Sequence, residues 1–318
     1  MANMDRDLKG RRAAGGGDGL RGTEIRLRSL SECSIADITA LWNKGFEQYV
    51  NDMSRTEFQM AVRMGKLHIH PEMSVAAYAG DTPAGFVMIG WRDFGGRKLA
   101  WNGGTGVAVA FRGCGLSKLL LAEAIRRAKT SGAERLSLEA RTDNDRAVAA
   151  YRSQGFVVAD RLLDLRRTGG FSEMPFRREK EGGYSSVRGT PELAGGLPFY
   201  NGRLSSWTTE WFSLDGGRSL IVYDSKGTAA GYSLYQEELD SANRLSSIRL
   251  CHCEADPGRG DGRDVIRYML AEIMKPCVVR LSRKAHYVRA SNRELMEALR
   301  EAGFEQTQEE YLMELTFS

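Results

Sequence analysis

The stretch Thr105–Lys118 constrains the fold most, because it predicts a strand, a tight glycine-rich turn and a helix in immediate succession. Residues 105–111 are small and β-branched, as a buried strand requires, and apolar residues then recur at helical spacing until Gly132. Gly113 and Gly115 lack Cβ atoms, so consecutive backbone N–H groups can approach an anion at the positive end of the helix dipole. The stretch therefore predicts a cradle for a diphosphate.

The spacing of the glycines decides among the sequence motifs that build such a cradle. A P-loop needs G-x-x-x-x-G-K-[ST], which this turn lacks. A dinucleotide-binding fingerprint needs G-x-G-x-x-G, and Lys118 stands where its third glycine would be. The remaining pattern, R-x-x-G-x-[GA], is met by Arg112 and Gly115 and less well by Ser117. The alternative is a glycine-rich turn that binds no ligand.

A second motif follows a strand predicted over 135–139. It runs N-x-x-A-x-x-x-Y-x-x-x-G-F from Asn144 to Phe156. The two motifs, in this order and at this separation, resemble those of the GNAT superfamily of acetyl-CoA-dependent N-acetyltransferases. The sequence departs from the superfamily at Ser117, where glycine or alanine is usual, and at Cys114, where a basic residue is common. The resemblance implies acetyl-CoA as a co-substrate.

Length and composition narrow the classes of protein further. The 318 residues suffice for two domains with cores of their own. A formal net charge of +4 suits an anionic co-substrate, but no basic face interleaved with aromatic residues indicates binding to nucleic acid. Five scattered cysteines argue for a reducing compartment, so we expect a cytoplasmic protein. Residues 1–23 predict a disordered tail and not a signal peptide, and no apolar run of about 20 residues predicts a membrane span.

The tripeptide Cys251-His252-Cys253 suggests a metal site. In a regular strand, however, the two thiols would face one side and the imidazole the other, which leaves only two ligands together. No second pair of ligands stands at metal spacing. The sequence therefore predicts buried cysteines in a strand and no metal.

The first half of the chain predicts the elements around the cradle. A strand is expected over 24–30, helices over 34–48 and 54–64, a hairpin over 74–91, and the long strand into the cradle over 98–110.

The second of these helices is expected to start at Ser54, with Glu57 completing a capping box. In the superfamily this helical region covers the acceptor. Trp42, Phe46, Tyr49 and Glu57 are therefore candidates to receive an amine, although helix packing and solvated faces explain any single one of them better.

Three glycines, Gly103, Gly104 and Gly106, interrupt the long strand. Glycine inside a strand often marks a close approach by a ligand or by another backbone. In the superfamily this strand separates from its neighbour and presents backbone groups to the pantetheine arm and the thioester. Val107 and Val109 are therefore expected to supply main-chain contacts.

The second half of the chain repeats the spacing of the first. The run Asn292–Phe304 copies the run Asn144–Phe156, and residues 257–262 form a second glycine-rich turn. We therefore expect an α/β (α+β) protein with two tandem GNAT folds, each a mixed, largely antiparallel twisted sheet flanked by helices. The expected organisation is the tail over 1–23, a catalytic domain over 24–167, a linker over 168–190 and a degenerate GNAT-like domain over 191–318.

The second repeat lacks residues that the chemistry needs. Aligned on its asparagine, it has Leu299 in place of Tyr151 and therefore no proton donor. Aligned on its glycine, it has Pro257 in place of Arg112 and a carboxylate, Asp261, near the place for a diphosphate. The sequence predicts weak or absent acetyl-CoA binding there.

The resemblance also assigns roles in the first repeat. Tyr151 matches the general acid of the superfamily, and a phenol with a pKa near ~10 can protonate a leaving thiolate whose thiol has a pKa near ~8.5. A tyrosine bonded to the backbone is the alternative. Glu139 is the candidate base, acting through water with a pKa raised by any burial, and a structural carboxylate is the alternative. Asn144 either bonds to the co-substrate or caps its helix. The expected acetyl-CoA contacts are Val107, Val109, Arg112, Gly113, Cys114, Gly115, Leu116, Ser117, Lys118 and Asn144.

The sequence as a whole predicts an N-acetyltransferase that moves the acetyl group of acetyl-CoA to a primary amine by direct attack. A non-catalytic acyl-CoA sensor or scaffold and a dinucleotide-dependent oxidoreductase are the other classes, and binding of acetyl-CoA against NAD separates the last of these. The acceptor is expected to be a small molecule, with an amino-bearing antibiotic and a protein amine left open. Neither nucleic acid nor a membrane is an expected partner, and a monomer is compatible with the sequence.

Overall fold

Residues 24–49, 51–94, 96–176, 183–200, 202, 205–277 and 281–317 are described by the computed structural model of the chain. They divide into two units. The first unit holds residues up to Leu138, Asn144–Val157 and the end of the chain from Met313. The second holds Glu139–Asp143 and Val158–Leu312. The expected tail over 1–23 lies outside the described residues.

The described residues of the first unit form a sheet and four α-helices. Its strands run in the order β1-β2-β3-β4-β5, antiparallel except for the parallel pair β4–β5. In chain order the elements are β1 (Ile25–Ser29), α1 (Ile35–Gly45), α2 (Glu57–Lys66), β2 (Val75–Ala79), β3 (Thr82–Phe94), β4 (Arg97–Val107), α3 (Leu116–Thr130), β5 (Arg135–Arg141) and α4 (Asp145–Arg152).

Capping side chains fix where the first two helices begin. The Ser34 side chain accepts the N–H of Asp37 at the start of α1, which completes a capping box. At α2 the capping box is formed by Thr56 and Gln59. The predicted cap at Ser54 is therefore wrong, because Thr56 stands directly before the first helical residue.

The second unit has a longer sheet, in the order β12-β6-β11-β10-β9-β8-β7. Strands β10 and β11 are parallel. Strand β11 is antiparallel to β6, and the pairs β10–β9, β9–β8 and β8–β7 are antiparallel as well. Strand β7 lies inside the range expected as a linker. The elements are β6 (Val157–Thr168), β7 (Ser185–Gly189), α5 (Pro191–Gly195), β8 (Arg218–Tyr223), β9 (Ala229–Leu239), β10 (Leu245–Ala255), α6 (Gly262–Ile273), β11 (Ser282–Arg289), α7 (Arg293–Glu301) and β12 (Glu305–Thr316).

The two cysteines of β10 point into different parts of the core of the second unit. Cys253 packs in the cluster that contains Val265 and Met269 of α6, whereas Cys251 packs in a smaller cluster with Tyr232. The register of β10 against β9 shifts between Leu250 and His252, and this irregularity breaks the alternation of side chains. The expectation that both thiols face one side is therefore wrong.

The two units share an element order that matches the repeat in the sequence. Strand, helix, strand, helix and strand follow one another from β4 to β6, and again from β10 to β12. The mixed, largely antiparallel sheets with their helices confirm the predicted fold class. Among the described residues, no helix combines the length and the apolar composition needed to cross a bilayer.

Candidate active site

A pocket of about 630 Å³ lies in the first unit, and we call it the first-unit pocket. All the expected acetyl-CoA contacts except Val109 and Cys114 line it. Its walls come from the turn after α1, the end of β4, the turn into α3, and α4. The lining residues from these segments include Gly45, Phe46, Tyr49, Thr105, Gly106, Val107, Phe111, Arg112, Gly113, Gly115, Leu116, Ser117, Lys118, Asn144, Arg146, Ala147 and Tyr151.

The turn over 112–118, which we call the cradle turn, leaves backbone N–H groups at the start of α3 free of side-chain caps. Gly113 and Gly115 have φ angles of +86° and +84°, a region that glycine adopts readily. Gly115 is the N-cap residue of α3 and offers no side chain to bond there. The first N–H groups of a helix lack partners within it and stand at the positive end of its dipole. This arrangement suits an anion such as a diphosphate.

Strands β4 and β5 separate beside the pocket. Their parallel pairing runs from Leu99–Arg135 to Trp101–Ser137 and ends there. Strand β4 continues to Val107 against β3. Because β4 leaves β5 after Trp101, its last residues can present backbone groups to a ligand, as a splayed strand is expected to do.

The charges in the first-unit pocket are all positive among the described residues that line it. Arg112, Lys118 and Arg146 are cationic, and no lining residue carries a carboxylate. Arg146 was not predicted from the sequence. It lies on α4 within the second motif, at a position that the motif leaves unspecified.

Tyr151 and Asn144 reach the pocket from the two ends of α4. The ring of Tyr151 meets that of Phe156 edge-on, with centroids 5.9 Å apart. The Oδ1 atom of Asn144 accepts the N–H of Ala147 over 3.2 Å, so Asn144 caps α4 and also lines the pocket. Capping and a contact to a ligand are therefore compatible at this residue.

The two expected contacts outside the lining, Val109 and Cys114, lie in the segment between β4 and α3. Strand β4 stops at Val107 instead of Ala110, and Val109–Phe111 forms a 3-10 turn because the N–H of Phe111 bonds to the carbonyl of Ala108. The Val109 carbonyl accepts the N–H of Arg112, and the Cys114 thiol donates to the carbonyl of Phe111 over 2.7 Å.

The candidate acceptor residues divide into two groups. Phe46 and Tyr49 line the pocket. Trp42 is 1% exposed, and its Nε1 donates to the carbonyl of Met53 over 2.6 Å. Glu57 is exposed in the first turn of α2.

Glu139 lies in the second unit by its contacts. Its Oε1 accepts the N–H of Trp207 over 3.2 Å. It is not among the residues that line the first-unit pocket. Its role as a base stays a prediction.

A close contact between two glycines forms part of the pocket wall, and sequence reasoning missed one of them. A Cβ atom added to Gly45 would lie 2.9 Å from the Cα of Gly106 and 2.7 Å from the ring of Phe86. Glycine in a helix costs about 1 kcal/mol relative to alanine, so Gly45 at the end of α1 was a signal for such an approach.

In the corresponding turn of the second unit, the positive charge of Arg259 is paired with the carboxylates of Asp261 and Asp224. The guanidinium of Arg259 donates two hydrogen bonds of 2.8 Å to the carboxylate of Asp261 and one of 2.9 Å to Asp224. The hydroxyl of Tyr184 donates to Asp261 over 2.7 Å. The hydrogen bonds from Arg259, with that from Tyr184, lower the pKa of Asp261 to about 2 although burial opposes them. A diphosphate would therefore meet a paired cation and a charged carboxylate.

In the second unit, side chains fill the gap that opens where β10 and β11 separate. The pairing of β10 with β11 ends at Leu250–Ala285, and Glu254 beyond it is bound by the guanidinium of Arg289 over 2.6 Å. A cavity of about 10 Å³ is left there, large enough for one water molecule at most. Leu299, at the position of Tyr151 in the repeat, is fully buried.

The cysteines of β10 carry buried thiols. Burial raises the pKa of the thiols of Cys251 and Cys253 to about 12, so both stay protonated at neutral pH. Within the described ranges, no three histidine, cysteine, aspartate or glutamate side chains gather in a way that could hold a metal ion.

Comparison with known proteins links this geometry to one family. Residues 35–156 match the acetyltransferase (GNAT) family. A 56-residue segment is 46% identical to the mycothiol acetyltransferase of Corynebacterium efficiens, and it makes up 18% of this chain and 19% of that protein. The chain thus matches about a fifth of the length of this curated relative.

Two solved structures share the fold along nearly all of the chain. A putative acetyltransferase from Pyrococcus horikoshii is 15% identical with a TM-score of 0.54, over 98% of this chain and 94% of that one. A tandem GNAT protein from the clavulanic acid biosynthesis pathway is 13% identical with a TM-score of 0.52, over 92% of this chain and 98% of that one. At such identities the likeness shows the fold.

Proposed function

We propose that this chain, which belongs to the GNAT superfamily, moves the acetyl group of acetyl-CoA to the primary amine of a small molecule in the first-unit pocket. The observation that carries the proposal is the convergence of three features on one pocket: the cradle turn, the end of β4 that is not paired with β5, and Tyr151. The name of the curated relative, a mycothiol acetyltransferase, supports acetyl transfer as the reaction.

The co-substrate is held by backbone groups and by cations. The N–H groups at the start of α3 would bind the diphosphate, because they are uncapped and lie at the positive end of the helix. Lys118 and Arg146 add positive charge to the same pocket. The pantetheine arm would follow the end of β4, with Val107 as a main-chain contact and Asn144 on the facing helix. Val109 and Cys114 stay candidate contacts from the same turn.

The reaction proceeds by direct attack of a neutral amine on the thioester carbonyl carbon. A C–N bond forms, the carbonyl oxygen gains a negative charge that a backbone N–H near Val107 stabilises, and the C–S bond then breaks. The departing sulfur takes a proton from the hydroxyl of Tyr151, and the amine gives up a proton, for which Glu139 acting through water is the candidate acceptor. Holding both reactants in contact geometry supplies several kcal/mol of the barrier reduction.

The second unit is proposed to be catalytically silent. Its turn carries the Arg259–Asp261 pair, its strand gap is closed around Glu254, and Leu299 has no proton to donate. We propose that it supports the fold or shapes the binding of the acceptor.

A screen of amines with isotopically labelled acetyl-CoA tests the proposal. Mass spectrometry should find one class of primary amine that gains the labelled acetyl group while CoA is released. Calorimetric titration of the intact chain should give one tight acetyl-CoA site. Tight binding without transfer to any amine would favour an acyl-CoA sensor, and binding of NAD in place of acetyl-CoA would favour an oxidoreductase.

A further inference from the structure

The side chain of Arg112 turns away from the cradle turn and towards the end of α1. Its Nη2 donates to the carbonyl of Glu47 over 2.6 Å and to that of Gly45 over 3.4 Å. Its Nε donates to the carbonyl of Val107 over 3.0 Å. These three bonds join the end of β4 to residues 45–49, which comprise the last residue of α1 and the turn after it and which we call the 45–49 turn.

We propose that Arg112 is a positioning residue for the amine acceptor: its guanidinium holds the 45–49 turn against the end of β4 and does not bind the diphosphate. The inference rests on the proposed function, because the 45–49 turn matters to an acceptor only if the first-unit pocket is the site of transfer. It assigns to the arginine of the motif a role at the end of α1 and not at the start of α3.

The end of α1 needs such a partner. The last carbonyls of a helix have no donor within the helix, and the negative end of the dipole favours a cation there. Helix α1 ends at Gly45, so the carbonyl of Gly45 is one of these groups. Arg112 supplies both the hydrogen bond and the positive charge, from 67 residues further along the chain.

The 45–49 turn has a conformation that its own sequence does not favour. Gln48 has a φ of +63°, which is uncommon for a residue with a side chain. Such conformations persist when the surrounding contacts over-determine them. On one side the turn is fixed by the contact of Gly45 with Gly106, and on the other by the bonds to Arg112.

The turn carries the two aromatic side chains that line the pocket. Phe46 and Tyr49 are the candidate acceptor residues of the pocket wall, and Phe46 packs against Tyr49 with ring centroids 5.4 Å apart. If the turn moves, both rings move with it. The place for the amine is then disturbed, while the N–H groups at the start of α3 keep their positions.

The test compares Arg112→Ala with Lys118→Ala, which removes the other cation of the cradle turn. Arg112→Ala should leave the Kd for acetyl-CoA within about twofold and raise the KM of the amine about tenfold, the factor that corresponds to 1.4 kcal/mol. Lys118→Ala should show the reverse pattern, with a higher Kd for acetyl-CoA and little change in the KM of the amine. Arg112→Lys keeps the charge but not the fork of donors, and should fall between Arg112→Ala and the unchanged protein.

A second readout does not depend on activity. Amide hydrogen exchange of Glu47 and Tyr49 in the protein without ligands should accelerate about tenfold in Arg112→Ala and stay unchanged in Lys118→Ala. The inference is overturned if Arg112→Ala weakens acetyl-CoA binding as strongly as Lys118→Ala does, or if exchange in the 45–49 turn is unaffected. If the unchanged protein transfers no acetyl group, the proposed function fails, and the exchange measurement still decides whether Arg112 holds the turn.

Discussion

The side-chain amide of Asn292 donates a hydrogen bond to the main-chain carbonyl of Cys253 over 3.0 Å. The same amide donates to the carboxylate of Glu254 over 3.1 Å, and its Oδ1 accepts the N–H of Leu295 at the start of α7. One side chain therefore caps a helix and ties it to the end of β10. At the matching place in the first unit, Asn144 caps α4 and lines an open pocket instead.

Removal of the two asparagines should have unequal effects on stability. Asn144→Ala loses a helix cap and should cost about 1 kcal/mol of unfolding free energy. Asn292→Ala also leaves the buried carbonyl of Cys253 without its donor, so the total should reach about 2–4 kcal/mol. Urea unfolding of the two variants measures the difference. Equal losses would show that the bonds from Asn292 to β10 contribute nothing.

Gly115 and Gly260 provide a matched pair for the acetyl-CoA site. Asp in place of Gly115 must adopt a φ of +84° and brings a negative charge to the cradle, where repulsion at ~4 Å costs from ~1 to ~4 kcal/mol. Acetyl-CoA binding should weaken at least about tenfold. At Gly260 no atom lies within 4 Å of an added Cβ, so Gly260→Asp should fold normally and leave binding unchanged.

Calorimetry with acetyl-CoA on both variants measures this prediction. A single site lost in Gly115→Asp and kept in Gly260→Asp would agree with the assignment to the first unit. Two equivalent sites per chain, or acetyl transfer that survives in Gly115→Asp, would contradict it.

Tyr151 should act on the rate of the reaction and not on binding. Tyr151→Phe keeps the ring that packs against Phe156 and removes the hydroxyl proton. If the phenol protonates the leaving thiolate, kcat should fall by roughly 10²–10⁴-fold, while the Kd for acetyl-CoA stays the same. Pre-steady-state measurement of the chemical step checks this. A chemical step of unchanged rate would remove Tyr151 from the mechanism.

The sequence predicted most of the first unit because its signals are local. The strand, the glycine turn and the helix around Gly115 follow from side-chain size and helical spacing, and the copied run at Asn292–Phe304 predicted the second fold. These features depend on neighbouring residues. The fold class could therefore be predicted before any tertiary contact was known.

The missed elements depend on tertiary contacts. Strand β11 contains Arg283, which is fully buried because its guanidinium donates to the carbonyls of Met274, Gly169 and Pro276. A pattern of apolar residues cannot predict such a strand, because an arginine side chain is expected to be exposed to solvent. The hydrogen bonds of the Arg112 side chain could not be predicted from the sequence either. Their acceptors are main-chain carbonyls, which every residue carries.

The register shift in β10 could also not be predicted from the neighbouring residues alone. Periodicity placed Cys251 and Cys253 on one face, but the register shift after Leu250 sends them to different clusters. Such a shift is set by how β9 pairs with β10. One of its results is that His252 lies buried against the ring of Tyr200, 6.0 Å away between centroids.

The burial of His252 should make the stability of the second unit depend on pH. Burial, with a smaller contribution from the charge of Arg289, lowers the pKa of His252 from 6.5 to about 3. Between these values the unfolded chain binds a proton that the folded chain does not. The stabilising effect of the neutral imidazole is therefore complete above about pH 6.5 and is lost as pH falls towards 3, by up to ~1.4 kcal/mol per pH unit.

The variant His252→Phe separates this effect from the titration of carboxylates. Phenylalanine keeps an aromatic ring beside Tyr200 and loses both the titration and the contact of the imidazole with the hydroxyl of Thr209, which is 3.3 Å long. Urea unfolding at pH 7.5, 6 and 5 should show the unchanged protein losing stability across this range, and the variant losing less. Because the two proteins share every other titrating group, the difference between the two curves reports on His252. Parallel curves would mean that the imidazole titrates alike in the folded and unfolded chain.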